Sequence, residues 1–237
     1  MIPTRPRKVT NMLRKIANWL VPNYCICCQN PLIEHQAICQ HCFDELSLFD
    51  PSQGNLLNRP DICRDFKLDN ITRLMACGWY EGQLKSWLSG YKFHHQTRYQ
   101  AALQQVIVHQ WTQYLLHEHT APDIAVLMPL HTTRLVNRGF NQVNQTWQCS
   151  IDPYLTSKIN LLRTHKTKAQ SNLTGIQRRK NTRDAFQVKG AMTGLKVVIV
   201  DDVITTGATM NAAAQACLDA GALQVDAIAT ALTPLHR

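Results

Sequence analysis

Two adjacent carboxylates, Asp201 and Asp202, are the side chains whose setting most clearly predicts chemistry in this sequence. They follow the apolar run 196–200, which predicts a buried strand. Ligands of open α/β sheets bind beyond the carboxyl ends of the strands. Because a carboxylate repels phosphate but accepts strong hydrogen bonds from O–H donors, we interpret the pair as a site for the hydroxyl groups of a sugar.

The residues after the acids are suited to phosphate. The hydroxyls of Thr205, Thr206 and Thr209 can donate hydrogen bonds to phosphate oxygens, and Gly207 lets the backbone approach a ligand closely. A helix that begins at this turn directs unpaired N–H groups and a partial positive charge at the same place. An ordinary βα turn with an Asp or Thr cap is the alternative, but it needs neither the acid pair nor the Thr-Thr-Gly run.

The surrounding pattern predicts an α/β domain. The strand before Asp201, an alanine-rich helix and another apolar strand form a βαβ unit, which implies a parallel sheet. The predicted elements are strands at 71–80, 124–128, 196–200 and 225–232, and helices at 84–93, 99–116, 131–147 and 207–220. The helix at 131–147 is expected to break near Gly139, and residues 47–69 are expected to form a loop-rich connector.

Four cysteines form two C-x-x-C pairs near the start of the chain: Cys25, Cys28, Cys39 and Cys42. Two such turns supply the four thiolates of a tetrahedral structural zinc site. Unmetallated thiols are the alternative. Cys27 is a spare thiol that could replace one ligand, and His35 and His41 are weaker candidates for that substitution.

Composition and charge narrow the class of protein. The 237 residues are 45% hydrophobic and only 17% charged, which excludes a disordered chain. The net charge of +9 is concentrated in residues 1–24 and 161–196, and we associate it with phosphate-rich ligands, nucleic acid or anionic lipid, or with solvated basic faces. No apolar run is long enough to span a bilayer, so a cytoplasmic protein with reduced thiols is expected.

The segment 197–209 resembles the phosphoribosyl pyrophosphate (PRPP) signature of type I phosphoribosyltransferases, in which apolar residues precede an acid pair and a Thr-Thr-Gly turn. The resemblance implies that Asp201 and Asp202 hold the ribose hydroxyls. It also implies that the 5′-phosphate is held by the residues of the following turn, which are Val203, Ile204, Thr205, Thr206 and Gly207, together with Thr209.

Other segments resemble the ComF/GntX family over nearly the whole chain except residues 47–69. The matching blocks are Met128-Pro129-Leu130, then Arg134 and Arg138-Gly139-Phe140-Asn141-Gln142, then Gln170, Arg178, Asn181 and Ala185-Phe186, with Tyr91-Lys92-Phe93 upstream. The resemblance implies an α/β fold: a type I phosphoribosyltransferase-like parallel sheet flanked by helices, with a small N-terminal zinc ribbon. Pyrophosphate would then face Met128, Pro129, Leu130 and His131, with Arg134, Arg138 and Lys92 nearby, and magnesium would accompany PRPP.

The sequence therefore predicts four segments: a basic amphipathic helix at 1–21, a zinc ribbon at 22–46, a connector or degenerate second ribbon at 47–69, and a phosphoribosyltransferase-like domain at 70–237. The resemblance implies a competence protein involved in uptake or processing of transforming DNA, which transfers a pentosyl group from PRPP if it is an enzyme. A non-catalytic ligand sensor or scaffold, and a nucleobase salvage enzyme, are the alternatives. Single-stranded DNA, a DNA-uptake helicase, a recombination mediator and a peripheral membrane contact remain candidate partners.

Overall fold

A computed structural model of the chain describes residues 23–32, 36–94, 96–117, 121–130, 140–164 and 185–234. The predicted amphipathic helix at 1–21 lies outside these residues. The chain divides into two compact units, Met1–Leu46 and Ser47–Arg237. Within the described ranges, no helix has both the length and the apolar character that crossing a membrane requires.

The described residues of the small unit form a two-stranded antiparallel sheet and one short helix. Its elements are β1 (Asn23–Tyr24), β2 (Pro31–Leu32) and α1 (Gln40–Asp44). Tyr24 pairs with Pro31 across the sheet, so the two strands bracket the first pair of cysteines. Such a small unit buries little apolar surface, so side-chain ligation is the expected source of its stability.

The larger unit alternates strands and helices. Its elements are α2 (Pro60–Asp65), β3 (Arg73–Trp79), α3 (Gly82–His94), α4 (Arg98–His117), β4 (Ile124–Leu127), α5 (Gln142–Ile151), β5 (Asn160–Arg163), β6 (Phe186–Lys189), β7 (Lys196–Ile204), α6 (Ala208–Asp219) and β8 (Gln224–Leu232). The four described strands of the main sheet are parallel throughout, in the order β3-β8-β7-β4. This confirms the predicted parallel sheet.

Helices cover both faces of this sheet. Val197 and Ile199 of β7 belong to the core cluster that contains Met210 and Ala213 of α6. On the opposite face, the indole N–H of Trp147 in α5 donates to the fully buried hydroxyl of Thr230 in β8 at 3.0 Å. A parallel sheet buried on both faces needs apolar residues at successive positions, which explains the unbroken apolar runs in the sequence.

The segment 47–69 is folded against the larger unit rather than forming a loop-rich connector. It contains two 3₁₀ turns, Pro51–Gln53 and Leu56–Asn58, followed by α2. Its apolar side chains enter the main core and are less than a tenth exposed: Phe49, Leu56, Ile62, Phe66 and Leu68. The compact unit accordingly begins at Ser47 and not at residue 70.

Strand β7 continues past the position at which the apolar run predicted its end. It extends from Val200 to Ile204 because β8 still pairs with it there, with Ile204 opposite Leu232. The β4 ladder ends earlier, at Leu127 opposite Val200. The N–H of Met128 still donates to the Val200 carbonyl at 2.8 Å, and in the described chain β4 and β7 are not paired beyond Leu127 and Val200.

Candidate functional site

A cavity of about 750 Å³ lies where β4 has ended and β7 continues. The residues that sequence reasoning assigned to ligand binding and that line this cavity are Lys92, Met128, Pro129, Leu130, Asp201, Asp202, Val203, Ile204, Thr205, Gly207 and Thr209. They come from α3, the end of β4, β7 and the start of α6. Thr206 does not line the cavity, and its hydroxyl accepts from the Ala208 N–H at 3.5 Å. His131, Arg134 and Arg138 lie outside the described residues.

The acid pair lies on the part of β7 that has lost its β4 neighbour. The Asp202 N–H is on the strand edge that β4 would have occupied, and it donates to Asp201 Oδ1 at 2.7 Å. The Asp201 carboxylate thus takes the place of a strand carbonyl. Since successive side chains of a strand point to opposite faces, Asp201 and Asp202 enter the cavity from different sides.

Lys92 neutralises one of the two acids. Its Nζ lies 2.8 Å from Asp202 Oδ2, and the side chains are only 10% and 14% exposed. Tyr91, the preceding residue, anchors the end of α3 because its hydroxyl donates to the side-chain carbonyl of Gln145 in α5. The packing of α3 thus brings Lys92 next to β7, although 110 residues separate Lys92 from Asp202 in the sequence.

The turn between β7 and α6 contains a glycine in a left-handed conformation. Gly207 is the N-cap of α6 and has a φ of +79°, a left-handed conformation that side-chain-bearing residues rarely adopt. A Cβ at this position would lie 2.9 Å from Leu68 Cδ2. Thr205 and Gly207 of this turn, together with Thr209 in the first turn of α6, line the cavity, so the N-terminal end of that helix forms part of its wall.

The cavity is also lined by five residues that the sequence analysis did not assign to the site: Tyr80, Phe93, Arg163, Met210 and Thr233. Tyr80 and Thr233 follow directly after strands β3 and β8, so their position at strand ends is a signal that sequence reasoning could have used. Arg163 ends β5, and its guanidinium lies 5.5 Å from the centre of the Phe186 ring on β6. The hairpin formed by β5 and β6 has only short strands and was not predicted.

The small unit brings together the four predicted cysteines. The Sγ atoms of Cys25, Cys28, Cys39 and Cys42 all lie within 4.8 Å of one another. Around a tetrahedral ion with Zn–S bonds of about 2.3 Å, sulfur atoms are roughly 3.8 Å apart. The separation of Cys28 Sγ and Cys39 Sγ is 3.7 Å. These four cysteines could hold a metal ion, and Cys27 is not part of the cluster.

Backbone donors favour the thiolate form of Cys25, whereas burial and side-chain hydrogen bonds with the other cysteines of the cluster raise the pKa of Cys42. The Cys39 N–H donates to Cys25 Sγ at 3.4 Å, and the Cys42 N–H donates to Cys39 Sγ at 3.5 Å. Burial acts to raise the pKa of the Cys25 thiol, but backbone hydrogen bonds from Cys28, Cys39 and Cys27 outweigh it and lower that pKa to about 6. Metal ligation requires the deprotonated sulfur, so this environment suits a cation.

Comparison with known proteins agrees with the predicted family and fold class. The sequence profile described as the phosphoribosyl transferase domain matches residues 156–235. The DNA utilization protein YhgH of Salmonella typhi is 30% identical over 224 residues, which cover 86% of this chain and 95% of that protein. Competence protein F of Haemophilus influenzae is 28% identical over 197 residues, with 79% and 80% of the two chains covered. The chain belongs to the ComF family.

Membership of the ComF family confirms the resemblance carried by the acid pair and the upstream motifs. Competence protein ComFC of Streptococcus pneumoniae is 33% identical over 100 residues, covering 42% of this chain and 44% of that protein. Among solved structures, a hypoxanthine phosphoribosyltransferase from Staphylococcus aureus is 12% identical with a TM-score of 0.35, covering 55% of this chain and 62% of that enzyme. A likeness of that strength supports no inference.

Proposed function

We propose that the cavity binds PRPP and that this ComF-family protein is a phosphoribosyltransferase-type protein of the DNA-uptake apparatus. The observation that carries the proposal is the acid pair at the open edge of β7, immediately before the phosphate-binding turn. Asp201 and Asp202 accept hydrogen bonds from the ribose hydroxyls. The backbone of 203–207 and the hydroxyl of Thr209 bind the 5′-phosphate.

The pyrophosphate of PRPP faces the chain after β4. Met128, Pro129 and Leu130 line that side of the cavity, and Lys92 supplies a cation from α3. His131, Arg134 and Arg138 follow in the sequence and are assigned to the same subsite. Positive charge placed here stabilises the charge that develops on a departing pyrophosphate.

The reaction that this site supports is displacement at C1 of the ribose. The C1–O bond breaks, its electron pair leaves with pyrophosphate, and a lone pair of the acceptor forms the new bond to C1. An acceptor N–H or O–H then loses its proton to water. The protein needs no side-chain nucleophile, since positioning and charge stabilisation are sufficient.

Magnesium fits the donor set of this site. The Asp201 and Asp202 carboxylates line the cavity, and hard oxygen ligands together with substrate phosphates are what Mg²⁺ binds. When bound with PRPP, the ion neutralises part of the negative charge of the pyrophosphate.

Calorimetric titration with PRPP and magnesium tests the proposal. Wild-type protein is expected to bind PRPP, and the Asp201→Asn, Asp202→Asn double variant is expected to lose most of that affinity while still unfolding in a single cooperative transition. Asp219→Asn is the matched control because Asp219 is exposed on α6, accepts a hydrogen bond from Gln215 and does not line the cavity. Equal affinity of the double variant and the control would contradict the ribose role.

Catalysis and ligand sensing are separated by a second measurement. Pyrophosphate release is followed with candidate acceptors, including free nucleobases. Release that depends on Asp201 and Asp202 supports an enzyme, and release with a free base supports the salvage alternative. Saturable PRPP binding without release would instead favour the sensor that docks on other DNA-uptake proteins.

The role in DNA uptake rests on the relatives, which include proteins named for competence and for DNA utilization. A Haemophilus influenzae strain lacking its competence protein F provides the test. Expression of this chain is expected to raise the transformation frequency of that strain, and the double Asn variant is expected to fail. No increase from a soluble, PRPP-binding wild-type chain would contradict the role in DNA uptake.

The cysteine cluster is proposed to hold a structural zinc ion. Four thiol ligands close the tetrahedral shell and leave no position for a substrate, which is the arrangement of structural sites. The ion supplies most of the folding energy of the small unit.

A further inference from the structure

The ion pair between Lys92 and Asp202 has a consequence for ligand binding. Its Nζ–Oδ2 distance is 2.8 Å, and its side chains are 10% and 14% exposed, so little water screens the attraction. Both side chains line the cavity of about 750 Å³. The pair is therefore part of the cavity wall and not a feature of the outer surface.

PRPP would need both the Asp202 carboxylate and the Lys92 ammonium group, and each of these groups is bound to the other in the ion pair. If the two ribose hydroxyls are to use both carboxylate oxygens of Asp202 as acceptors, Oδ2 has to be released, and it is held by Lys92. Pyrophosphate attracts cations, but the Lys92 ammonium group is held by Asp202. Opening the pair costs free energy, because a poorly hydrated carboxylate and ammonium lose their partners.

A pyrophosphate group at C1 would offset this cost. The displaced ammonium group lies in the same cavity as Met128, Pro129 and Leu130, the residues assigned to the pyrophosphate side. A ligand with pyrophosphate at C1 gives Lys92 a new anionic partner. Ribose 5-phosphate, which has a hydroxyl at C1, offers no comparable partner there.

We propose that Lys92 is a specificity-determining residue that pairs with Asp202 before PRPP binds and moves to the pyrophosphate when PRPP binds. The inference rests on the proposed function, since it presumes that Asp202 receives the ribose. It adds that the Lys92–Asp202 pair discriminates against phosphorylated sugars that lack pyrophosphate. The exchange thus selects PRPP over the ribose phosphates that share its sugar and its 5′-phosphate.

The test compares dissociation constants for two probes, ribose 5-phosphate and PRPP with magnesium. Lys92→Gln is expected to bind ribose 5-phosphate about threefold to tenfold more tightly and PRPP more weakly by a similar factor. Lys92→Arg keeps a cation at Asp202, so it should show no gain for ribose 5-phosphate. Lys85→Gln is the matched control, because Lys85 is exposed on the same helix and does not line the cavity.

A double-variant cycle separates exchange from mere support of the fold. In the Asp202→Asn background, Lys92→Gln should no longer tighten ribose 5-phosphate binding, because the competing pair is already broken. A gain that persists there would overturn the exchange, as would equal changes in affinity for both probes or an undiminished affinity for PRPP. If wild-type protein bound neither probe, the proposed function itself would be wrong. If it bound both probes and Lys92→Gln left the ratio of the two affinities unchanged, only the exchange of Lys92 would be wrong.

Discussion

Gly207 lies directly against Leu68: a Cβ on residue 207 would be 2.9 Å from Leu68 Cδ2. Leu68 is itself buried at 5% exposure, so it cannot move aside freely. The segment that precedes β3 therefore packs against the turn between β7 and α6. Two requirements fall on residue 207, a left-handed backbone with φ of +79° and the absence of a side chain.

Gly207→Ala is expected to destabilise the larger unit by about 2 kcal/mol, because it adds both backbone strain and a steric clash. Gly54→Ala is the control, since Gly54 also has a positive φ of +74° but its Cβ would meet nothing within 4 Å. Urea unfolding of the two variants gives the comparison. Equal losses would mean that contact with Leu68 contributes nothing beyond the backbone strain.

Asn211→Ala is expected to loosen the segment before β3 from α6. The Asn70 N–H donates to Asn211 Oδ1 at 2.8 Å, and the Asn70 side-chain amide donates to the Asn211 carbonyl at 3.2 Å. Loss of the Oδ1 acceptor should cost about 1 kcal/mol. Gln215→Ala removes only a hydrogen bond between solvent-facing side chains of α6 and is the control. Urea unfolding should separate the two variants, and equal stabilities would refute the anchoring role of Asn211.

Purified protein is expected to contain a single zinc ion bound by the cysteine cluster. Cys39→Ser should lower the zinc content measured by mass spectrometry, because it removes one of four thiolates. Cys63→Ser should retain the metal, since Cys63 is an exposed cysteine outside the cluster. After chelation, limited proteolysis should cut first within residues 23–46. Full zinc content in the Cys39 variant would exclude this cysteine as a ligand.

Stability should fall at alkaline pH partly because of Tyr91. Burial raises the pKa of this tyrosine to about 12, above its ordinary value of 10.0. A raised pKa in the folded state means that the contribution is complete below pH ~10 and is lost as the pH rises toward 12. Tyr91→Phe should be less stable at pH 8, because its hydroxyl bonds to Gln100 and Gln145 are gone.

The same variant should show a shallower loss of stability between pH 10 and 12 than the wild-type chain. Urea unfolding at a series of pH values in that window provides the measurement. An unchanged slope would mean that other groups, and not Tyr91, set the alkaline limit.

The sheet and its order of elements were predictable because they rest on local pattern. The apolar runs before Asp201 and after Ala222 bracket a helix of suitable length, and a βαβ unit follows from that spacing. The two 3₁₀ turns and α2 in 47–69 gave no such signal, because helices of three to six residues show no period. Burial of side chains such as Phe49 and Ile62 in the core holds them in place.

The site was predictable in its types of residue and less so in its contacts. Val203 and Ile204 were expected in a turn after the strand, whereas pairing with β8 keeps them in β7. Nothing in the sequence indicated that Lys92 contacts Asp202, because that contact depends on how α3 packs and not on any local motif. Arg163 was missed as a cavity residue for the same reason.

Because β4 ends early, the number of strands paired with β7 changes along its length. Up to Val200, β7 is hydrogen-bonded to both β4 and β8. From Asp201 onward, β8 is its one paired neighbour in the described sheet. Residues 201–204 are therefore paired on one side only. Their amide protons can exchange with solvent through local opening, without unfolding of the whole sheet. A small molecule bound along this unpaired edge would stabilise the strand and slow local opening. Slower deuterium uptake by residues 201–204 would therefore detect binding without any chemical label.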